Sequence, residues 1–127
     1  KDRLEIGFFR PIPNSLRTAT IQAILSKPLH IFEGSSVINI TSERIEGDWA
    51  ALSVGAADGP CYNPEHPYGE KCGANLIAKR IDCQNWQASI VGTALYADLI
   101  NDSPNTFISS TGKAASLQMN KDWSEPD

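Results

Sequence analysis

Residues 37–54, VINITSERIEGDWAALSV, carry the clearest structural pattern in the chain. From Val37 onward apolar and polar side chains alternate, as they do in a strand with one buried face. Glu46-Gly47-Asp48 has the composition of a turn, and a second apolar run begins at Trp49. The stretch therefore predicts a β-hairpin with one strand on each side of the turn.

A helix is predicted before this hairpin. Apolar residues recur at helical spacing between Ser15 and Lys27, which indicates one amphipathic helix. Asn14 and Ser15 are N-cap candidates, and Pro28 ends the pattern. The preceding segment, residues 4–10, is predicted to be either a short edge strand or an extended arm lying on the core.

Two further strands are predicted after the hairpin, at residues 74–81 and 86–95, separated by a tight turn. Residues 94–100 also fit the start of a short helix, so the end of the last strand stays open. The predicted fold class is α+β: an N-terminal helix packed on an antiparallel sheet of at least four strands. With 127 residues and 41% apolar content, the chain is predicted to be a single domain, 1–127, whose residues 101–127 form a loosely packed C-terminal extension.

The long connection between the second and third strands contains two of the three cysteines. Cys61 and Cys72 flank a polar loop and are predicted to lie at adjoining ends of neighbouring antiparallel strands, where a disulfide would staple the loop. Cys83 falls in the next turn, at the opposite end of the sheet. It is left as a free thiol, an intermolecular disulfide or a buried apolar cysteine. The spacings lack the paired knuckle of structural zinc sites, so no metal is predicted.

Charge and hydropathy narrow the functional classes. The net charge is −4, from 11 basic and 15 acidic residues, and the basic residues are scattered, which argues against nucleic-acid binding. No apolar stretch approaches the roughly 20 residues of a membrane-spanning helix. The chain opens on Lys1 rather than methionine, as a processed or trimmed chain would. Together with the predicted disulfide, this start favours a periplasmic or secreted protein.

Acid and base groups crowd together at one place in the sequence, the middle of the long loop. Glu65, His66, Tyr68 and Glu70 supply two carboxylates, an imidazole and a phenol. No serine or unpaired thiol nearby is placed to act as a nucleophile. These four residues are therefore predicted to form a binding surface, with no catalytic residue and no cofactor.

Five short segments carry a resemblance to a known group. They are Leu16-Arg17-Thr18-Ala19, Gly47-Asp48-Trp49-Ala50, Asp58-Gly59, Leu76-Ile77-Ala78-Lys79-Arg80 and Trp86. In this order they resemble a broad group of small exported bacterial proteins of uncharacterised activity, over roughly residues 15–92. The order of helix and curved sheet is also similar to the NTF2-like and cystatin-like folds. An NTF2-like fold would imply a cavity between helix and sheet.

Three functions follow as expectations. The first is a non-catalytic periplasmic or secreted binding domain, such as a protein inhibitor or an effector-immunity protein, that recognises another protein through the 57–73 loop. The second is an NTF2-like small-ligand-binding protein or weak enzyme, which would need an internal pocket above roughly 300 Å³ with convergent polar groups. The third is a structural subunit of a cell-envelope assembly, in which Cys83 supplies an intermolecular bond.

Overall fold

The computed structural model describes residues 5–6, 12–27, 29–61, 65 and 73–124. Short connections join most of its elements. In chain order these are β1 Glu5–Ile6, α1 Asn14–Ser26, a 3-10 helix His30–Phe32, β2 Val37–Glu46, β3 Trp49–Ala56, β4 Gly73–Asp82, β5 Asn85–Ile90, α2 Ala94–Asp102 and α3 Ser110–Trp123.

The strands form one sheet in the order β1-β2-β3-β4-β5. β2 to β5 are antiparallel neighbours, which confirms the α+β class and the four-stranded antiparallel core of the prediction. β1 runs parallel to β2, so the sheet is mixed rather than wholly antiparallel. The predicted hairpin is confirmed, and Gly47 takes a left-handed φ of 60° in its turn, a conformation that glycine adopts without steric cost.

The N-terminal helix begins one residue earlier than predicted. Pro13 occupies the N-cap position and no side chain caps the first turn. Asn14 and Ser15, the predicted caps, lie inside the helix. Pro13 has a φ near the helical value and carries no backbone N–H. It therefore suits the N-terminus of a helix, where the first backbone amides have no intrahelical acceptor. The helix packs along β5, and Leu16 and Ile24 join the main core.

The C-terminal third of the chain differs most from expectation. Thr93 caps α2 by accepting a hydrogen bond from the amide of Tyr96, so the helical alternative for residues 94–100 is the one the chain adopts. Residues 110–123 form α3 where a loosely packed extension was predicted. Phe107 before it and Asn120 within it are both buried, and this segment is therefore part of the packed structure.

The prediction of a disulfide-stapled loop is corrected. No two described cysteines form a pair: Cys83 is free and exposed in the β4–β5 turn, and Cys72 lies outside the described residues. Cys61 is not a free thiol. The described residues contain no bridge between Cys61 and Cys72. A continuous antiparallel ladder joins β3 to β4, so the register of the sheet does not depend on a cross-link.

A β-bulge divides β2 into two halves. Ile40 lies opposite Val54, but Ser42 lies opposite Ser53, so Thr41 is the extra residue. Alternation restarts after the bulge. Even-numbered residues of β2 consequently point to one face of the sheet before Thr41 and to the other face after it.

The two faces of the sheet therefore have different chemistry. Residues directly opposite each other on antiparallel strands share a face, which assigns each side chain from the register. The apolar face is buried over most of its length by Ile38, Ile40, Ala50, Leu52, Val54, Ala56, Ala74, Leu76, Ala78 and Ile90. Towards its edge it also carries the half-buried Glu43, Ile45, Arg80, Trp86 and Ala88. The polar face carries Ser42, Arg44, Trp49, Ala51, Ser53, Asn75, Ile77, Lys79, Gln87 and Ser89.

Candidate functional site

A cleft of about 370 Å³ opens between the polar face and the two C-terminal helices. β2, β3 and β4 form its floor, and α2, α3 and the segment before α3 form its other wall. Its polar lining residues are Ser42, Glu43, Arg44, Ser53, Asn75, Tyr96 and Ser116, and its apolar ones include Ala51, Ile77, Ile100 and Ile108. A cavity of this size with a few polar groups is typical of small-molecule sites.

The floor carries a row of polar side chains across three strands. Ser42 lies opposite Ser53, and Ser53 lies opposite Asn75. The Ser53 hydroxyl donates to Asn75 Oδ1 at 2.9 Å, and Asn75 Nδ2 donates to Met119 Sδ on α3 at 3.5 Å. The bulge at Thr41 brings Ser42 to this face, so the row depends on it.

Tyr96 forms part of the helical wall and is only 3% exposed. Burial raises the pKa of its phenol, and a hydrogen bond with Ser116 opposes that rise. A phenol with a raised pKa stays protonated and neutral at physiological pH. Tyr96 therefore contributes an uncharged polar group to the cleft.

The rim of the cleft is built from cations and aromatic rings. Arg44 Nε lies 2.8 Å from Glu46 Oε2, and this hydrogen bond raises the pKa of Arg44 and lowers that of Glu46. The Arg44 guanidinium also lies 4.4 Å from the ring centroid of Phe107, which is 6.4 Å from that of Trp49. Lys79 Nζ lies over the Trp49 ring, 5.5 Å from its centroid. These contacts tie β2 to the α2–α3 connection.

A buried asparagine holds α3 against the connection between β5 and α2. Asn120 Oδ1 accepts from the Gly92 amide at 2.6 Å, and Asn120 Nδ2 donates to the Thr93 carbonyl at 3.1 Å. Gly92 has a φ of 99°, and a Cβ there would lie 3.2 Å from the Trp123 carbonyl oxygen. Only glycine fits this close approach without strain. The wall of the cleft is thus fixed by tertiary bonds.

The predicted recognition loop is described only at its beginning and at one further residue. Glu65 is exposed, while His66, Tyr68 and Glu70 lie outside the described residues. The loop begins on a fixed base, because the Asp58 carboxylate accepts from the amides of Ser36 and Val37 at 2.8 and 3.1 Å. The Ser36 hydroxyl adds a third bond to the same carboxylate at 2.8 Å.

The described ranges contain no group of three metal-ligating side chains. Within the same ranges, no helix is long and apolar enough to cross a membrane. Comparison of the chain with protein-family models, curated proteins and solved structures gave no match. The resemblance to small exported bacterial proteins and to NTF2-like folds stays a prediction, and function has to be argued from the geometry of the cleft.

Sequence reasoning missed the row that lines the cleft. Ser53 and Asn75 are each flanked by apolar residues in their strands. By strand alternation, a polar residue between two buried ones points to the other face of the sheet, and this was the available signal for the row. Ile77 lies on this polar face, opposite Ala51 and Ser89, and not with Leu52 and Val54 on the apolar face.

Proposed function

We propose that this protein is a non-catalytic binding domain and that its ligand site is the cleft between the polar face and the C-terminal helices. The supporting observation is the cleft itself, about 370 Å³ in volume, with the Ser42-Ser53-Asn75 row on its floor. This volume lies within the range of roughly 300–1,000 Å³ that small ligands occupy. The proposal thus follows the small-ligand alternative raised by the sequence.

The chemistry of the lining favours binding over catalysis. The titratable residues of the lining are Glu43, Arg44 and Tyr96, and Glu43, opposite Leu52, directs its side chain to the apolar face. The pKa of Tyr96 is raised away from neutrality, and Arg44 is engaged with Glu46. General acid–base catalysis needs a group poised near the working pH, and nucleophilic catalysis needs a base beside the nucleophile. The described lining offers hydrogen-bonding groups on an apolar background, which suits recognition.

A fragment screen by two-dimensional NMR tests this proposal. A library of small uncharged fragments is expected to shift backbone amides of Ala51, Ser53, Asn75 and Ile108, which line the cleft. Ala51→Trp should fill the cleft and abolish these shifts. The matched control, Gln87→Trp, places the same ring on an exposed strand residue outside the lining and should keep them. Shifts confined to other surfaces, or unchanged shifts in Ala51→Trp, would contradict the proposal.

The 57–73 loop is a second candidate, as a surface that recognises another protein. The Asp58 network supports it, because three hydrogen bonds fix the first residues of the loop on β2 and so present the rest from a rigid base. Deletion of residues 64–69 is expected to leave the thermal unfolding of the sheet unchanged and to abolish coprecipitation of the partner. Loss of the whole fold on deletion would count against a recognition role. The exported location remains part of this proposal, and the resemblance to small exported bacterial proteins supports it.

A further inference from the structure

The charge at the cleft is already compensated. The charged residues of the lining are Glu43 and Arg44. Glu43 lies opposite Leu52 and directs its side chain to the apolar face, so Arg44 is the one whose side chain lies on the polar face. The Arg44 guanidinium already forms two hydrogen bonds with Glu46, at 2.8 and 3.3 Å. An ionic ligand would therefore lose its hydration without gaining an unengaged counter-charge. The occupant of this cleft should be uncharged.

The polar row offers one donor and one acceptor side by side. Ser53 Oγ uses its proton on Asn75 Oδ1, so what remains for a ligand is the accepting capacity of the hydroxyl oxygen. The bond that Asn75 Nδ2 makes within the described residues goes to the Met119 sulfur at 3.5 Å, and a thioether is a weak acceptor. The donor of Asn75 is thus poorly satisfied and ready for a stronger acceptor.

The rest of the lining is aliphatic. Ala51 and Ile77 flank the polar row on the floor, and Ile100 and Ile108 face it from the helical side. Burying the small branched or cyclic hydrocarbon part of a ligand against these side chains contributes about 25 cal/mol of favourable free energy per Å² of apolar area. A ligand that fits both parts carries one compact polar group on an apolar body.

We propose that the cleft binds a small uncharged carboxamide, whose carbonyl oxygen accepts from Asn75 Nδ2 in place of the Met119 sulfur while its N–H donates to Ser53 Oγ. The aliphatic body of the amide packs between Ile77 and Ile108. A carboxylate of the same shape presents two acceptors and a charge, so it repels Ser53 Oγ and lacks a counter-ion. This inference rests on the proposed function of the cleft and adds the chemical class of its ligand.

The test uses two isosteric probes, isobutyramide and isobutyrate, titrated separately into the labelled protein. Isobutyramide is expected to bind at about millimolar concentration, as befits a fragment of this size, and to shift the side-chain amide resonances of Asn75. Isobutyrate should bind at least tenfold more weakly. Asn75→Leu should weaken isobutyramide binding about tenfold, and Gln87→Ala, outside the lining, should leave it unchanged.

Each outcome separates the ligand class from the proposed function. Equal binding of the two probes in the cleft would overturn the carboxamide assignment and leave a small-molecule site. Cleft shifts with other uncharged fragments but not with isobutyramide would do the same. No cleft shifts with any fragment would overturn both. If Asn75→Leu fails to fold, Ser53→Ala removes the acceptor instead and is expected to give a loss of similar size.

Discussion

The two faces of one sheet are buried differently. On the apolar face, alanines and branched aliphatic residues pack in one core with Leu16 and Ile24 of α1. On the polar face, Trp49 and Ile77 belong to the same core, but side chains that need hydrogen bonds lie beside them and find partners in one another and in α3, and a cleft remains. The difference shows where a small domain can carry a binding site: dry packing on one side supplies stability, and the other side keeps its polar groups accessible.

The largest effect is expected from a cavity on the apolar face. Leu76 is 2% exposed, so Leu76→Ala should lower the free energy of unfolding by about 3 kcal/mol. Ser53→Ala, on the neighbouring strand but on the polar face, should cost about 1 kcal/mol, because it removes one half-buried hydrogen bond. Urea denaturation measures both. Equal losses would show that the two faces do not differ in the way described.

The next effect concerns the asparagine that holds α3 over the polar face. Asn120→Ala removes the acceptor of the Gly92 amide and one of the two donors to the Thr93 carbonyl, which keeps its bond from the Ala97 amide, and this should cost about 2 kcal/mol. Gln118→Ala, on the same helix, removes only an exposed bond to Asp122 and should stay within about 0.5 kcal/mol of the parent protein. A similar small loss for both variants in urea would contradict the anchoring role.

The buried phenol of the cleft wall gives a pH dependence. Because the folded-state pKa of Tyr96 lies above its ordinary value of 10.0, the folded protein keeps a proton that the unfolded chain releases. The contribution of Tyr96 to stability is therefore complete below that ordinary value and is lost as pH rises through the folded-state pKa. The free energy of unfolding should fall more steeply above pH 10 in the parent protein than in Tyr96→Phe. Parallel curves for the two proteins would refute this.

Substitution of one polar-face residue should stabilise the protein. Ser89 is 4% exposed, and its hydroxyl finds no hydrogen-bond partner among the described residues. Ser89→Ala deletes this buried, unsatisfied group and should raise the free energy of unfolding by about 1 kcal/mol. Ser103→Ala is the matched control, because that serine is equally buried but donates to the Ile100 carbonyl at 2.7 Å. Thermal unfolding should move in opposite directions for the two variants.

The smallest effect on stability is expected at the rim. The Arg44 side chain is 47% exposed, so loss of its contact with Phe107 in Arg44→Gln should leave the free energy of unfolding nearly unchanged. Arg80→Gln removes a comparable contact with Trp86, 5.2 Å from the ring centroid, outside the cleft. Only the Arg44 change should alter isobutyramide binding. An effect of Arg80→Gln on that binding would extend the site beyond the residues described.

Local patterns predicted the antiparallel strands β2 to β5, because each strand shows its own alternation of apolar and polar residues. The hairpin of β2 and β3 could be read from its turn and from the apolar run beginning at Trp49. The sequence also contains a signal of the bulge at Thr41. The apolar positions of the strand change from even-numbered ones, Ile38 and Ile40, to an odd-numbered one, Ile45. That switch is visible only when the alternation is followed through the whole strand.

The cleft and α3 could not be derived in the same way. Ser53 faces Asn75 only because of the β3–β4 register, and the long connection between those strands leaves the register unspecified by any short turn. α3 carries few apolar residues, so its pattern predicted a loose extension. A helix of that composition is held in place by tertiary bonds such as those of Asn120, which no local pattern contains.

The Asn120 anchor also has a consequence for the order of events during folding. Asn120 is the buried residue of α3, and its partners Gly92 and Thr93 directly follow β5. The helix has little apolar surface of its own to bury, so α3 is expected to dock on a sheet that is already assembled. The loss of stability in Asn120→Ala should then emerge as faster unfolding with an unaltered refolding rate.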